Sequence, residues 1–239
     1  MTPGVRRQRR GTGDWIQLML AEARGVPPGY WVMSGLVVIG ITLMRVATAG
    51  SAAMGADVVQ ALALILMTYV LYRAAVPVRP VVRIGPPLIR FGAAWIAAIL
   101  FTLVPLAIAR ALLPAGARLA DLWLWAFVAT TIANLVLLPL APWIAALAIG
   151  DRQIGPGGGW RLLRRQFGSF AGAYLAVVSP CFAVHLMLTM LLDDPASTLS
   201  GTALIAVVFV DSAASLAQLV LSVALGTAAW RLREGKPAR

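Results

Sequence analysis

Few residues in this 239-residue chain have the types and spacing for chemistry: one cysteine, one histidine and one aspartate, each set inside an apolar run. Cys181 and His185 stand at i and i+4, which puts them on one face of a helix. Asp211 interrupts VVFVDSAASLAQLVLSVALG, Val207–Gly226. A thiol, an imidazole and a carboxylate are the members of a nucleophilic triad, and equally three ligands for a metal ion. Nothing else in the sequence strengthens either chemistry. There is no second histidine, no cysteine pair, and no Gly-x-Ser-x-Gly, His-Glu-x-x-His or phosphate-cradling glycine loop. No catalytic residue, metal or cofactor is therefore expected, and an enzyme is the third-ranked reading.

Asp211 belongs to a longer pattern. With Ser215, Gln218, Ser222 and Gly226 it is spaced by three or four residues, which makes one polar and small stripe down a single helical face. If the run crosses a membrane, an ionised carboxylate within it costs at least ~2.5 kcal/mol, so a compensating partner is required. Counting 1.5 Å per residue from the outer boundary puts His185 about 12 Å deep, Asp211 about 15 Å and Cys181 about 18 Å. Thr130, Thr131 and Asn134 fall at a comparable depth. The candidate polar cluster is Asp211, His185, Gln218, Ser215, Asn134 and Cys181, with His185 as the expected partner of Asp211. Such a face serves either as a packing surface between helices or as a hydrated path for a substrate or proton. Packing is the preferred reading.

The elements that must position these groups are long apolar runs. With 60% apolar residues, 12% charged residues and a mean hydropathy of +0.85, the chain is far from the composition of a soluble domain. Six runs, at about 30–50, 57–78, 91–113, 122–150, 168–192 and 202–230, each reach the ~20 residues a helix needs to cross the hydrocarbon. Barrel strands would be shorter and would alternate in polarity. The expected fold is an all-α, polytopic membrane bundle of six helices with short loops.

The formal charge of +11 is explained by topology rather than by a nucleic-acid partner. Seventeen of the twenty basic residues fall before the first run, between the second and third, between the fourth and fifth, and after the sixth. Only Arg45, Arg110 and Arg118 lie near the opposite ends. The positive-inside rule then puts both termini in the cytoplasm. Nineteen of the basic residues are arginine and alanine is abundant, as in bacterial chains of high genomic GC content, so the expected location is a bacterial inner membrane. Arg45 is a candidate ion-pair partner for Asp57 across the first outer turn.

Residues 1–28 read as a basic cytoplasmic N-terminus without a removable signal peptide, and 232–239 as a basic cytoplasmic tail; the membrane domain is 29–231. Within GDWIQLMLAEARG, Trp15, Leu18, Met19 and Ala23 recur at helical spacing behind Asp14 as a cap, with Gly25 to end the helix. This predicts an interfacial helix on the cytoplasmic membrane surface. In WRLLRRQF, Trp160, Arg161, Arg164 and Arg165 have the composition for contact with anionic lipid head groups. The lead-ins RIGPPLIRFGAAW and QIGPGGGWRLLRRQFGSFAGAY share Ile-Gly-Pro, Phe and Gly in order, and a proline follows in each run, Pro105 and Pro180. They suggest helical hairpins entered in the same way. In the fourth run, Pro139 and Pro142 predict a kink.

WRLLRRQFGSFAGAYLA at 160–176, LPLAPWIAALAIGDRQIGP at 138–156 and YRAAVPVRP at 72–80 resemble a group of six-helix bacterial inner-membrane proteins common in alphaproteobacteria. Some of these are labelled glycerophosphodiester phosphodiesterase membrane domains. The resemblance implies fold and location but no activity, since the soluble catalytic domain to which that label refers is not expected here. The preferred function is a non-enzymatic accessory or scaffold protein whose partners are the bilayer with its anionic lipids, other membrane proteins or further copies of itself. The rival is a small transporter or proton-coupled channel built on the polar groups of spans four to six.

Overall fold

The computed structural model describes residues 10–48, 54–112, 118–193 and 199–234, which are helical almost throughout and contain no strand. Six helical stretches have the length and apolar composition to cross a membrane: Pro28–Ala47, Val58–Ala75, Pro86–Pro105, Ala120–Ile149, Phe167–Leu192 and Gly201–Arg231. The chain is thus an integral membrane protein with an all-α bundle. Its helices are α1 (Thr12–Gly25), α2 (Pro28–Thr48), α3 (Met54–Ala75), α4 (Pro86–Leu112) and α5 (Leu119–Leu137), followed by α6 (Ala141–Ile149), α7 (Pro156–Leu163), α8 (Phe167–Ala173), α9 (Ser179–Asp193) and α10 (Gly201–Arg231).

Helix α10 is the axle. It packs against α1, α2, α3, α6 and α9, while α3, α4, α5 and α9 follow one another around it. Its basic end is buried without interruption from Val223 to Trp230. Large apolar side chains point outward elsewhere, among them Val32, Leu36, Leu100, Val104 and Phe209. In a bilayer such residues face lipid and carry no aggregation cost.

Two of the spans are interrupted where the sequence carries proline. Between α5 and α6, residues Leu138–Leu140 form a 3-10 turn, because Pro139 and Pro142 have no amide to donate. This is the expected kink of the fourth span. Between α8 and α9, Tyr174–Val178 form a π segment immediately ahead of Pro180. Widening the turn there separates the Pro180 ring from the preceding carbonyls with which it would collide. By contrast Pro105 sits inside an uninterrupted α4. The two Ile-Gly-Pro lead-ins accordingly differ: the first opens one continuous helix at Pro86, whereas the second opens the eight-residue α7 at Pro156 and is followed by a turn. The expectation of hairpins entered alike does not hold at this level.

The apolar face of helix α1 is turned into the protein: Trp15 and Met19 are fully buried, and Trp15 meets Phe170 of α8 edge to face at 4.8 Å. Asp14 acts at the third helical position, its Oδ2 accepting the Gly11 amide at 2.8 Å, and Gly11 is the cap residue. Glu22, 6% exposed, faces Arg231 of α10 with Oε1 and Nε 2.7 Å apart. A complementary protein face and a buried charge partner together hold the amphipathic helix against the bundle.

The basic end of the bundle is tied together by further contacts. Gly150, at φ +88°, closes α6 with a left-handed turn, and the Asp151 amide donates to Ala146 O at 2.8 Å. Asp151 accepts from the Gln153 amide and from Trp230 Nε1, and pairs with Arg233. Arg231 Nη2 donates to Ala75 O at the end of α3. Both described chain ends, α1 and the close of α10, therefore lie at the same end.

Candidate functional site

The candidate polar residues do not form one cluster; they separate into two groups at different levels of α10. At the upper level, His185 of α9 and Asp211 of α10 stand 2.8 Å apart through Nδ1 and Oδ1. Asp211 is 1% exposed and the His185 side chain 26% exposed. With Asp211 ionised the carboxylate accepts and Nδ1 carries the proton. The next residue, Ser212, donates to Thr42 Oγ1 at 3.2 Å, and Thr42 donates to Val38 O of its own helix at 3.1 Å. Asp211 and Ser212 thus fasten α10 to α9 on one side and to α2 on the other.

Cys181 lies one turn before His185 on α9, as its spacing requires, but its Sγ donates to Val177 O at 3.5 Å. That is an intrahelical bond to the preceding turn. Among the described residues no three His, Cys, Asp or Glu side chains are grouped as metal ligands.

The lower level is a cavity of about 260 Å³ lined by α3, α4, α5, α6, the π segment and α10 and open on one side. Gln218, Ser222 and Gly226 of the α10 stripe line it, as do Asn134, Tyr72, Tyr174 and Thr102, and the rest of the wall is apolar. Helix α10 advances 1.5 Å per residue, so Gln218 lies ~10 Å along the axis from Asp211. Asn134 faces the Tyr174 hydroxyl. Ser222 Oγ donates to the main-chain Gln218 O of its own helix at 2.7 Å. A Cβ at Gly226 would stand 2.7 Å from the Tyr72 hydroxyl, so glycine is what allows that ring to reach the wall. No charged residue lines the cavity. Ile99, exposed on the outer surface of α4, marks its open side.

The sequence missed Tyr72, Tyr174 and Thr102 as cavity residues. A stripe on α10 is legible from periodicity, whereas which residues of three other helices face it depends on helix rotation. The fate of Ser215 is similar: it is half-buried on α10 but belongs to neither the ion pair nor the cavity wall.

Trp160, Arg161, Arg164 and Arg165 are exposed around α7 at the basic end of the bundle. Trp160 meets Phe167 edge to face at 5.8 Å, and Arg161 Nε donates to Gly157 O at 3.3 Å. Arg45 Nη1 donates to Thr189 Oγ1 of α9 at 3.3 Å; the side chain of Asp57, its anticipated partner, lies outside the described residues. Set beside family models, curated proteins and solved structures, the chain matches none of them.

Proposed function

We propose that this is a non-enzymatic binding protein of the bacterial cytoplasmic membrane, with both termini inside, that takes a neutral lipid or similar amphiphile into its central cavity and serves other membrane components as an accessory or scaffold. The observation that carries the reading is the cavity's character. It is mostly apolar and without a charged group, and Asn134, Gln218, Tyr72 and Tyr174 line it. A few placed polar groups in an apolar concavity select an uncharged head by hydrogen bonding. The volume, at the small end for a ligand site, suits a lipid head and the first methylenes, with the tail leaving at Ile99. A proton carrier is served by ionisable groups along its path; among the described residues His185 and Asp211 form such a pair, and neither lines the cavity.

The location and orientation rest on the arginine asymmetry and on the gathering of both described chain ends at the arginine-rich end. Around α7, Trp160, Arg161, Arg164 and Arg165 supply contact with anionic head groups.

The test is native mass spectrometry of the full chain in neutral detergent with 1,2-dioleoylglycerol as the probe. One bound diacylglycerol is expected, and Gln218→Leu with Asn134→Leu should weaken it about tenfold, the effect of losing roughly one net hydrogen bond. Binding that is absent, or unchanged in the double variant, would refute the cavity as the site.

A further inference from the structure

The connection from α3 to α4 carries Arg79 and Arg83, and Arg90 follows in the first turns of α4; all three are exposed. From residue 58 to residue 120 the chain has no acidic residue, so nothing within this part of the chain neutralises them. Set among these arginines are Val82 and Ile84, 54% and 86% exposed. Two exposed apolar side chains interleaved with three cations have the composition suited to a head-group boundary. Both flanking helices are membrane spans, so the segment stands at the boundary between head groups and water.

Its backbone is held from beneath by two side chains of α3. Arg73, 2% exposed, donates through Nε to Val81 O at 2.9 Å and through Nη2 to Pro80 O at 2.7 Å. The Tyr69 hydroxyl donates to Arg83 O at 3.0 Å. Residues 80, 81 and 83 are thereby fixed, and the direction of the side chains between them with them. A display fixed before binding loses less entropy on binding than a mobile basic loop would.

We propose that this clamped segment is a docking surface for anionic phospholipid. Arg79, Arg83 and Arg90 take the phosphates, while Val82 and Ile84 enter the acyl region beside them. The complement on the page is one of charge and depth together. A leaflet rich in anionic lipid offers a negative surface immediately above hydrocarbon, and the segment offers cations immediately beside apolar side chains. A zwitterionic lipid would satisfy the apolar pair but not the unopposed arginines. An acidic protein partner would satisfy the arginines, with no role for side chains at bilayer depth.

The experiment uses the full chain in neutral detergent, titrated with dioleoylphosphatidylglycerol and, separately, dioleoylphosphatidylcholine, with bound lipid counted by native mass spectrometry. The wild-type protein is expected to prefer the phosphatidylglycerol. R79Q/R83Q should weaken that lipid by about 25-fold, at roughly fivefold for each arginine near a head-group surface, and should leave phosphatidylcholine little changed. V82S/I84S, which keeps the charge, should weaken it as well. Unchanged phosphatidylglycerol binding in R79Q/R83Q overturns the proposal. So does loss of binding only in R161Q/R164Q, which would move the anionic-lipid site to α7. Loss from R79Q/R83Q of a co-purifying acidic protein, with lipid binding intact, overturns it in favour of a protein partner.

Discussion

Arg73 Nη1 donates to the carbonyls of Ala148 and Ile149, at 3.0 and 3.3 Å, and so closes the last turn of α6 from the end of α3. A helix ends with four carbonyls lacking an intrahelical donor. In α6 the Gly150 and Asp151 amides serve Ala146 and Leu147, and one guanidinium serves the other two. A cation at a helix C-terminus is also favoured by the dipole. The guanidinium needs no carboxylate here, because five N–H donors in a planar fork find enough carbonyls.

Arg73→Met should therefore destabilise the protein strongly, since it leaves carbonyls of α6 and of the 80–81 segment unpaired at about 1–3 kcal/mol each. Arg73→Lys should rescue only part of the loss, as one ammonium cannot reach both groups of carbonyls. Thermal unfolding in detergent measures this. Equal stability of the lysine variant and the wild type would show that charge alone matters at this site.

Gly159 lies where α7 crosses the 3-10 turn: a Cβ there would stand 2.8 Å from Pro139 O, a backbone atom with little room to retreat. Gly159→Ala should cost about 1–3 kcal/mol through overpacking. Gly157, with nothing within 4 Å of its would-be Cβ, provides the control, since alanine there should stabilise α7 by roughly 0.5–1 kcal/mol through helix propensity. The same unfolding assay on both variants should give changes of opposite sign.

The two carboxylates at the basic end should respond to pH in opposite directions. Burial raises Glu22 above 4.5, and the charge and hydrogen bond of Arg231 offset this only in part. The folded chain then holds that proton more tightly than the unfolded chain, and stability falls as pH rises from about 4.5 through the folded value. Burial acts the same way on Asp151, but the Gln153 amide, Trp230 and Arg233 outweigh it and hold the carboxyl below 3.8. Its contribution is complete above ~3.8 and is lost as pH falls through the folded value. Glu22→Gln should flatten the stability profile above pH 4.5, and Asp151→Asn should flatten it below 3.8. Profiles altered in the same sense and the same window would contradict both assignments.

What the sequence revealed follows from which signals are local. Six spans and the kink at Pro139 and Pro142 depend on runs of composition and on a missing amide, so they can be read along the chain. The contact of His185 with Asp211 was legible because depth counting brings two groups on adjacent spans to one level. The burial of Trp15 and Met19 was not, since the periodicity of α1 states that one face is apolar without stating what covers it. Arg73 was hidden for another reason: it has the same charge as sixteen other basic residues on its side, and its partners are main-chain carbonyls that leave no trace in residue type. The division of the polar stripe was hidden likewise, because Gln218 and Asn134 meet only through the shared cavity wall.

The pair of His185 and Asp211 offers the sharpest test of how the upper half of the bundle is held. If the carboxylate fastens α10 to α9, Asp211→Asn should be tolerated, because the Asn carbonyl oxygen still accepts from Nδ1. Asp211→Leu leaves the imidazole without its partner, and His185→Leu leaves a buried carboxylate without its donor. Each should cost about 1–3 kcal/mol in detergent-solubilised unfolding. Ser212 remains bonded to Thr42 in every variant, so α2 stays attached and the losses report on the α9 contact. The double variant should cost less than the sum of the two, since the second substitution removes a group already unsatisfied. Strictly additive losses, or an Asn variant as damaged as the Leu variant, would show that the 2.8 Å contact does not hold the two helices together.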